Sequence, residues 1–159
     1  MDILINTEIL ISTLQNVISV IDKSYSKPIL SNFMIKTLEN EGGQGMVEFS
    51  ATDYELSIIE RIPAEITTSG SICINAKRVF DIAREFQAKE TRILSTEQLW
   101  VHISCGASEL RLPSVEVGLY PQPNIEELKQ NLKISTVDLA QCIDCLLYTS
   151  PSPRDEALS

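Results

Sequence analysis

The feature that most constrains this chain is a short motif that occurs three times. Ile3-Leu4-Ile5-Asn6-Thr7, Ile72-Cys73-Ile74-Asn75-Ala76 and Leu132-Lys133-Ile134-Ser135-Thr136 share one pattern: apolar residues alternating as in a strand, then Asn or Ser, then a helix-periodic segment. Asn and Ser side chains accept hydrogen bonds from the unpaired N–H groups of a first helical turn, so each motif reads as a strand that delivers the chain into a capped helix. After the first motif, Ile9, Leu10, Leu14, Val17, Ile18 and Ile21 recur at helical spacing, with Glu8, Ser12, Gln15, Asn16 and Ser19 on the opposite face. After the second, Val79, Phe80, Ala83 and Phe86 form the apolar stripe, and Lys77, Asp81 and Arg84 point away. The third begins Val137, Leu139, Ala140, Ile143.

Runs rich in β-forming residues follow the first two helices: Ile29 to Leu38, Met46 to Thr52 and Leu56 to Ile62, then Arg92 to Ser95, Leu99 to Ser104 and Ser108 to Leu112. Turn-like residues separate them at Glu39 to Gly45, Thr52-Asp53, Glu97-Gln98 and Gly106-Ala107. The repeating unit is therefore strand, helix, three strands. It occurs twice before Pro113 and restarts at Leu132. Two units side by side predict an α+β fold with both helices on one face of a mostly antiparallel sheet. Its edges have to be covered, charged or paired with another copy. A third onset implies that the domain itself is repeated.

Composition removes several function classes. A hydrophobic fraction of 43% with 22% charged residues suits a globular core rather than a disordered chain. The longest apolar stretches fall far short of the roughly 18 residues a membrane span needs, and Met1-Asp2-Ile3-Leu4 lacks the basic flank of a signal peptide, so a cytoplasmic location is expected. Cys73, Cys105, Cys142 and Cys145 then read as buried or idle thiols; the one CxxC, Cys142 to Cys145, has neither a second pair nor a nearby His. Gly42-Gly43-Gln44-Gly45 is followed by neither Lys-Ser nor Lys-Thr and reads as a hairpin turn, not a phosphate loop. Asp53 and Glu55 alternate as on a strand, without a His partner or metal-ligand spacing, and His102 with Ser104 completes no triad. No catalytic residue, metal site or cofactor is expected. A net charge of −9 runs against nucleic-acid binding, yet steering depends on which face carries the cations rather than on the sum.

Four blocks, in order, carry a family resemblance. Lys27-Pro28-Ile29-Leu30-Ser31-Asn32-Phe33, Ala51-Thr52-Asp53-Tyr54-Glu55-Leu56, Asn75-Ala76-Lys77-Arg78-Val79-Phe80-Asp81-Ile82, and Leu110-Arg111-Leu112-Pro113 with Tyr120-Pro121-Gln122-Pro123-Asn124 resemble the first domain of bacterial DNA polymerase III beta subunits, the sliding clamps. The resemblance runs colinearly from Met1 to about Asp144; Glu39 to Gly45 is longer than is usual in the family, and Val115 to Tyr120 is altered. It implies clamp domain one at 1–113, an interdomain connector at 114–131 and the start of a second domain at 132–144. The remainder, 145–159, places Pro151 and Pro153 where a third helix would continue and resembles the translation of a transposase sequencing adapter, so it is expected to be non-native.

The resemblance also implies a ring of two chains closed head to tail, three domains per chain, with helices inside and sheet outside. Its partners would be double-stranded DNA held without base specificity, a second clamp chain, and a DNA polymerase and clamp loader reached through domains beyond this one. It carries a DNA-facing role onto Lys23, Lys27, Lys77 and Arg84, and a ring-interface role onto Ser108, Leu110 and Leu112 with Arg78 and Asp81 alongside. From the residues alone, Lys77 and Arg84 read as a solvated helix face, and Ser108 to Leu112 as an edge protected by Glu109 and Arg111. The alternative to a processivity factor is a stand-alone α+β protein-binding module.

Overall fold

In the computed structural model, which describes residues 1–21, 27–38, 45–96, 99–122 and 133–149, the first two motifs form as the sequence predicts. Strand β1 (Asp2–Asn6) runs into helix α1 (Thr7–Val20), and the Asn6 side chain accepts from the Glu8 and Ile9 amides at 3.0 and 3.2 Å. Three strands follow: β2 (Asn32–Leu38), β3 (Met46–Thr52) and β4 (Ser57–Pro63). The predicted strand start at Ile29 is instead a 3₁₀ turn, Pro28–Ser31, because Pro28 fixes its own φ and supplies no N–H. A short strand that the sequence did not announce, β5 (Glu65–Thr68), continues β4 past Ala64.

The second unit repeats the plan with β6 (Ser71–Asn75), α2 (Ala76–Ala83), β7 (Glu90–Thr96), β8 (Trp100–Cys105) and β9 (Ser108–Val115). Asn75 caps α2 by accepting from the Arg78 amide at 3.0 Å. α2 is shorter than its apolar stripe suggests: Arg84 is already its C-cap, and Phe86 packs from outside the helix.

The third motif behaves differently. Helix α3 (Thr136–Thr149) forms, with the Asp138 amide donating to Ser135 Oγ at 3.5 Å, but Lys133 to Ser135 form no strand. A strand is stabilised by its neighbours, and among the described residues no strand follows β9 to pair with it. α3 belongs to a second unit, Asn124–Ser159, separate from Met1–Pro123.

All pairings are antiparallel, in the order β4-β3-β2-β6-β9-β8-β7-β1-β5. The order means that the two units exchange their first strands. β1 pairs with β7 of the second unit, Ile3 opposite Ile93, while β6 pairs with β2 of the first, Ile74 opposite Phe33. Each unit's last strand then returns to its own first strand, β5 onto β1 and the end of β9 onto β6. The return of β5 depends on Gly45, whose amide plane meets Ala64 so closely that a Cβ there would lie 2.6 Å from the Ala64 carbonyl oxygen.

Alternation sends Ile3, Ile5, Phe33, Ile35, Phe49, Ile74, Ile93 and Ile103 to one face, where they form a single core with Leu10, Leu14 and Val17 of α1 and Val79 and Ala83 of α2. Both helices therefore pack on the same face of the sheet and against each other. Phe33 and Phe49 stack at its centre, ring centroids 5.8 Å apart. At the edge of this core Arg92 forks onto Asp2 across β1 and β7, at 2.8 and 2.6 Å, and holds the Asp2 carboxyl below its ordinary titration range.

Two outcomes follow. Phe49→Ala removes a fully buried ring and its stacking contact with Phe33, and should destabilise the chain by roughly 3–5 kcal/mol, measured as a shift of the urea midpoint at unchanged slope. Asp2 has a folded-state pKa below its unfolded one. Its contribution is therefore complete above the ordinary carboxylate range and is lost as pH falls through the lowered value. The loss of stability between neutral and strongly acid pH should be less steep in Asp2→Asn than in the parent, and identical acid limbs would rule this out.

Candidate functional site

Three surfaces result from this packing. The first is the solvent side of the helix pair. Because α1 and α2 turn their apolar stripes to the sheet, Glu8, Ser12, Gln15, Asn16 and Ser19 of α1 and Lys77, Arg78, Asp81 and Arg84 of α2 are exposed. Among the described residues the cations of this face lie on α2. Lys77 and Arg84 stand two turns apart, as their spacing predicts, and Arg84 makes a loose surface pair with Glu85 at 3.6 Å. α1 offers hydroxyl and amide groups, of which Asn16 is engaged by Glu60 at 3.2 Å.

The second surface is the end of the domain where β3 turns into β4. Asp53 and Glu55 are turn residues here, not strand residues. Asp53 Oδ1 accepts from the Glu55 and Leu56 amides at 2.9 and 2.6 Å, the local hydrogen bonding that makes Asp a turn former. Tyr54 between them has φ +78°, a left-handed conformation unusual for an aromatic residue, and leaves its ring 58% exposed. Lys27 Nζ sits 4.4 Å from the centre of that ring. The sequence reading paired Lys27 with Lys23, which lies outside the described residues. It missed Tyr54, whose only sequence signal is an aromatic residue inside a turn.

The third surface is a pair of open strand edges. β9 takes β8 on one side from Ser108 to Pro113, but β6 reaches it only at Ser114 and Val115, so among the described residues the backbone of the Ser108–Pro113 stretch is unpaired on its other side. β4 stands at one end of the order and, among the described residues, pairs only with β3. Leu110 and Leu112 point into or against the core, so this edge presents backbone groups, with Glu109 and Arg111 on the outer face. Arg111 lies over Trp100, 4.2 Å from its ring centre. Arg78 and Asp81 stay on the exposed side of α2, and no hydrogen bond or ion pair ties them to β9 among the described residues.

The arrangement has counterparts. The sequence model of the family described as "DNA polymerase III beta subunit, N-terminal domain" matches residues 1–126. The chain belongs to that family. A beta sliding clamp of Caulobacter vibrioides is 29% identical over 146 residues, covering 91% of this chain and 38% of the relative. One from Staphylococcus epidermidis is 29% identical over 129 residues, covering 76% and 33%. Among solved structures, Caulobacter crescentus pol III beta superposes with a TM-score of 0.80 at 28% identity, over 91% of this chain and 38% of that one. A DNA polymerase sliding clamp from Bacillus subtilis gives 0.72 at 25%, over 81% and 35%. The chain thus spans little more than a third of the length of the beta subunits it matches. Among its described residues no helix is long and apolar enough to cross a membrane.

Trp100 is the single tryptophan and sits beside the β9 edge of this beta-subunit domain, opposite Pro113. Arg111→Ala should change its fluorescence emission while costing at most about 1 kcal/mol of stability, as an exposed cation–π contact does. An unaltered spectrum would show that the guanidinium does not cover the indole in solution.

Proposed function

We propose that this chain is the first domain of a sliding clamp, a ring that encircles duplex DNA and confers processivity on a replicative polymerase. The observation that carries the reading is the combination of two open strand edges with helices gathered on one face. A domain with unpaired backbone at β4 and again at β9 can join a neighbour at each end by continuing its sheet, and repeated joining with a constant turn closes a ring. On this reading Ser108–Pro113 meets a domain of the second chain, and the solvent side of α1 and α2 lines the channel.

Lys77 and Arg84, with Lys27 and Lys23 at the rim, would then meet phosphates without reading bases. The acidic balance of the chain fits this division, because carboxylates elsewhere on the surface do not cancel a local positive field. Few cations suffice where topology does the holding, and strong phosphate binding would impede sliding. The chain carries no polymerase, nuclease or nucleotide-hydrolysing step on this account; its role is mechanical. Its polymerase and clamp-loader contacts, like ring closure, draw on domains beyond the first. The segment after Asp144 is read as non-native, and a cytoplasmic site of action accompanies replication.

The test separates topology from affinity. The 159-residue chain should bind duplex DNA weakly, and Lys77→Ala with Arg84→Ala should reduce the slope of log affinity against log salt by up to about 2. On nicked circular DNA passed through gel filtration at moderate salt, the chain should be stripped off, whereas an intact three-domain clamp loaded by its loader stays on and leaves when circles are linearised. Retention of the chain on circles but not on linear DNA would refute the account of a single ring segment. An unchanged salt slope would remove Lys77 and Arg84 from the DNA face.

A further inference from the structure

The outer face of the sheet carries a small second core that the clamp reading does not use. Met34 of β2, Cys73 of β6 and Tyr120 are buried there, with Ile29, Val115 and Val117 packed against them. They are covered by the segment that leaves β9: Glu116 leads into a 3₁₀ turn, Val117–Leu119, and Tyr120 folds back beneath it at 3% exposure.

The Tyr120 hydroxyl does more than fill space. The β2–β3 ladder runs from Leu38–Met46 to Met34–Ser50 and stops two pairs short of Asn32 and Thr52. In the gap, Tyr120 Oη accepts from the Thr52 amide at 3.3 Å and donates to the Asn32 carbonyl at 3.1 Å. A side chain from the exit segment is thus inserted where a backbone bond of the sheet would be. Thr52 in turn ties the β3–β4 turn, its Oγ1 donating to the Leu56 carbonyl at 3.0 Å and accepting from the Tyr54 amide at 3.1 Å.

We propose that Glu116–Tyr120 is a strap that opens and closes as a local unit, with the Tyr120 hydroxyl as its catch, so that the course of the chain leaving the domain is coupled to the end of the β2–β3 pair. Three observations make the strap separable from the main core. Its apolar contacts are the few residues of the outer cluster, none of which belongs to the two-helix core. β9 meets β6 through only two residue pairs, Cys73–Val115 and Ile74–Ser114, so little ladder has to part. Ser50, opposite Met34, carries a buried hydroxyl with no hydrogen-bond partner among the described residues, and opening would let water reach it. Burial meanwhile pushes the Tyr120 phenol and the Cys73 thiol each up to about 12, so in the closed strap both are neutral and the thiol is inert.

Cys73 and Cys105 make the idea measurable in the unaltered chain. Both are buried, but Cys73 lies under the strap and Cys105 lies elsewhere, against Thr7 and the Ala88 carbonyl. Pulses of iodoacetamide followed by peptide mass spectrometry resolve each cysteine from the exposed Cys142 and Cys145. Cys73 should label faster than Cys105 and with little dependence on low urea, the mark of local opening. Tyr120→Phe keeps the ring and removes the catch. Cys73 labelling should rise by about fivefold or more and hydrogen exchange at the Thr52 amide should accelerate, with Cys105 unchanged. If Cys73 and Cys105 label together in the parent, with the same urea dependence, only global unfolding exposes them and the strap is not a separate unit. If Cys73 opens locally but Tyr120→Phe leaves its rate and Thr52 exchange unaltered, the hydroxyl is not the catch.

Discussion

The structure depends on the exchange of first strands between its two repeats. β1 is hydrogen-bonded to β7 of the second unit, and β6 to β2 of the first. Neither unit can complete its sheet alone, and α2 buries its stripe on β2 of the first unit as well as on its own β6 and against α1. The single core around Phe33, Phe49, Leu14 and Val79 is the consequence. A repeat that swaps strands folds as one cooperative body, whereas a repeat that merely stacks folds piecewise.

The same exchange decides where the sheet is left open. Each unit's last strand is split in its pairing, one stretch with the strand before it and a short end with its own unit's first strand. Among the described residues the stretches Ser57–Pro63 and Ser108–Pro113 therefore each keep one side unpaired. In most proteins such edges are a hazard, protected by charge or by shortness. Here they recur at related positions in the two units, which suits a domain whose neighbours are further copies of the same fold. Among the described residues the helix face carries its cations on α2, and on the proposed reading so sparse an arrangement would let the surface slide.

Much of this was legible in the residues. Asn6 and Asn75 announced both helix starts, and the helical spacing of Leu10, Leu14 and Val17 and of Val79 and Ala83 announced the apolar stripes that enter the core. The misreadings share a cause. β5 is four residues with a single half-buried position to mark it, and it exists because Gly45 lets Ala64 approach. Asp53 and Glu55 alternate like strand residues, but the Asp53 carboxylate binds the next amides and turns the chain. The Lys133–Ser135 stretch has the strand pattern without a strand to pair with.

The sequence by itself determined the local events: where helices begin, which stripe of each is apolar, which residues turn, and that one unit is used twice. These are set within a few residues by side-chain hydrogen bonding and hydrophobic period. Tertiary structure alone decided which strands pair, that β1 and β6 change places, that Tyr120 completes a ladder formed by Asn32 and Thr52, and that Tyr54 rests under Lys27. Those contacts join residues far apart in the chain, and their free energy depends on the whole core being assembled first. No window of sequence contains them.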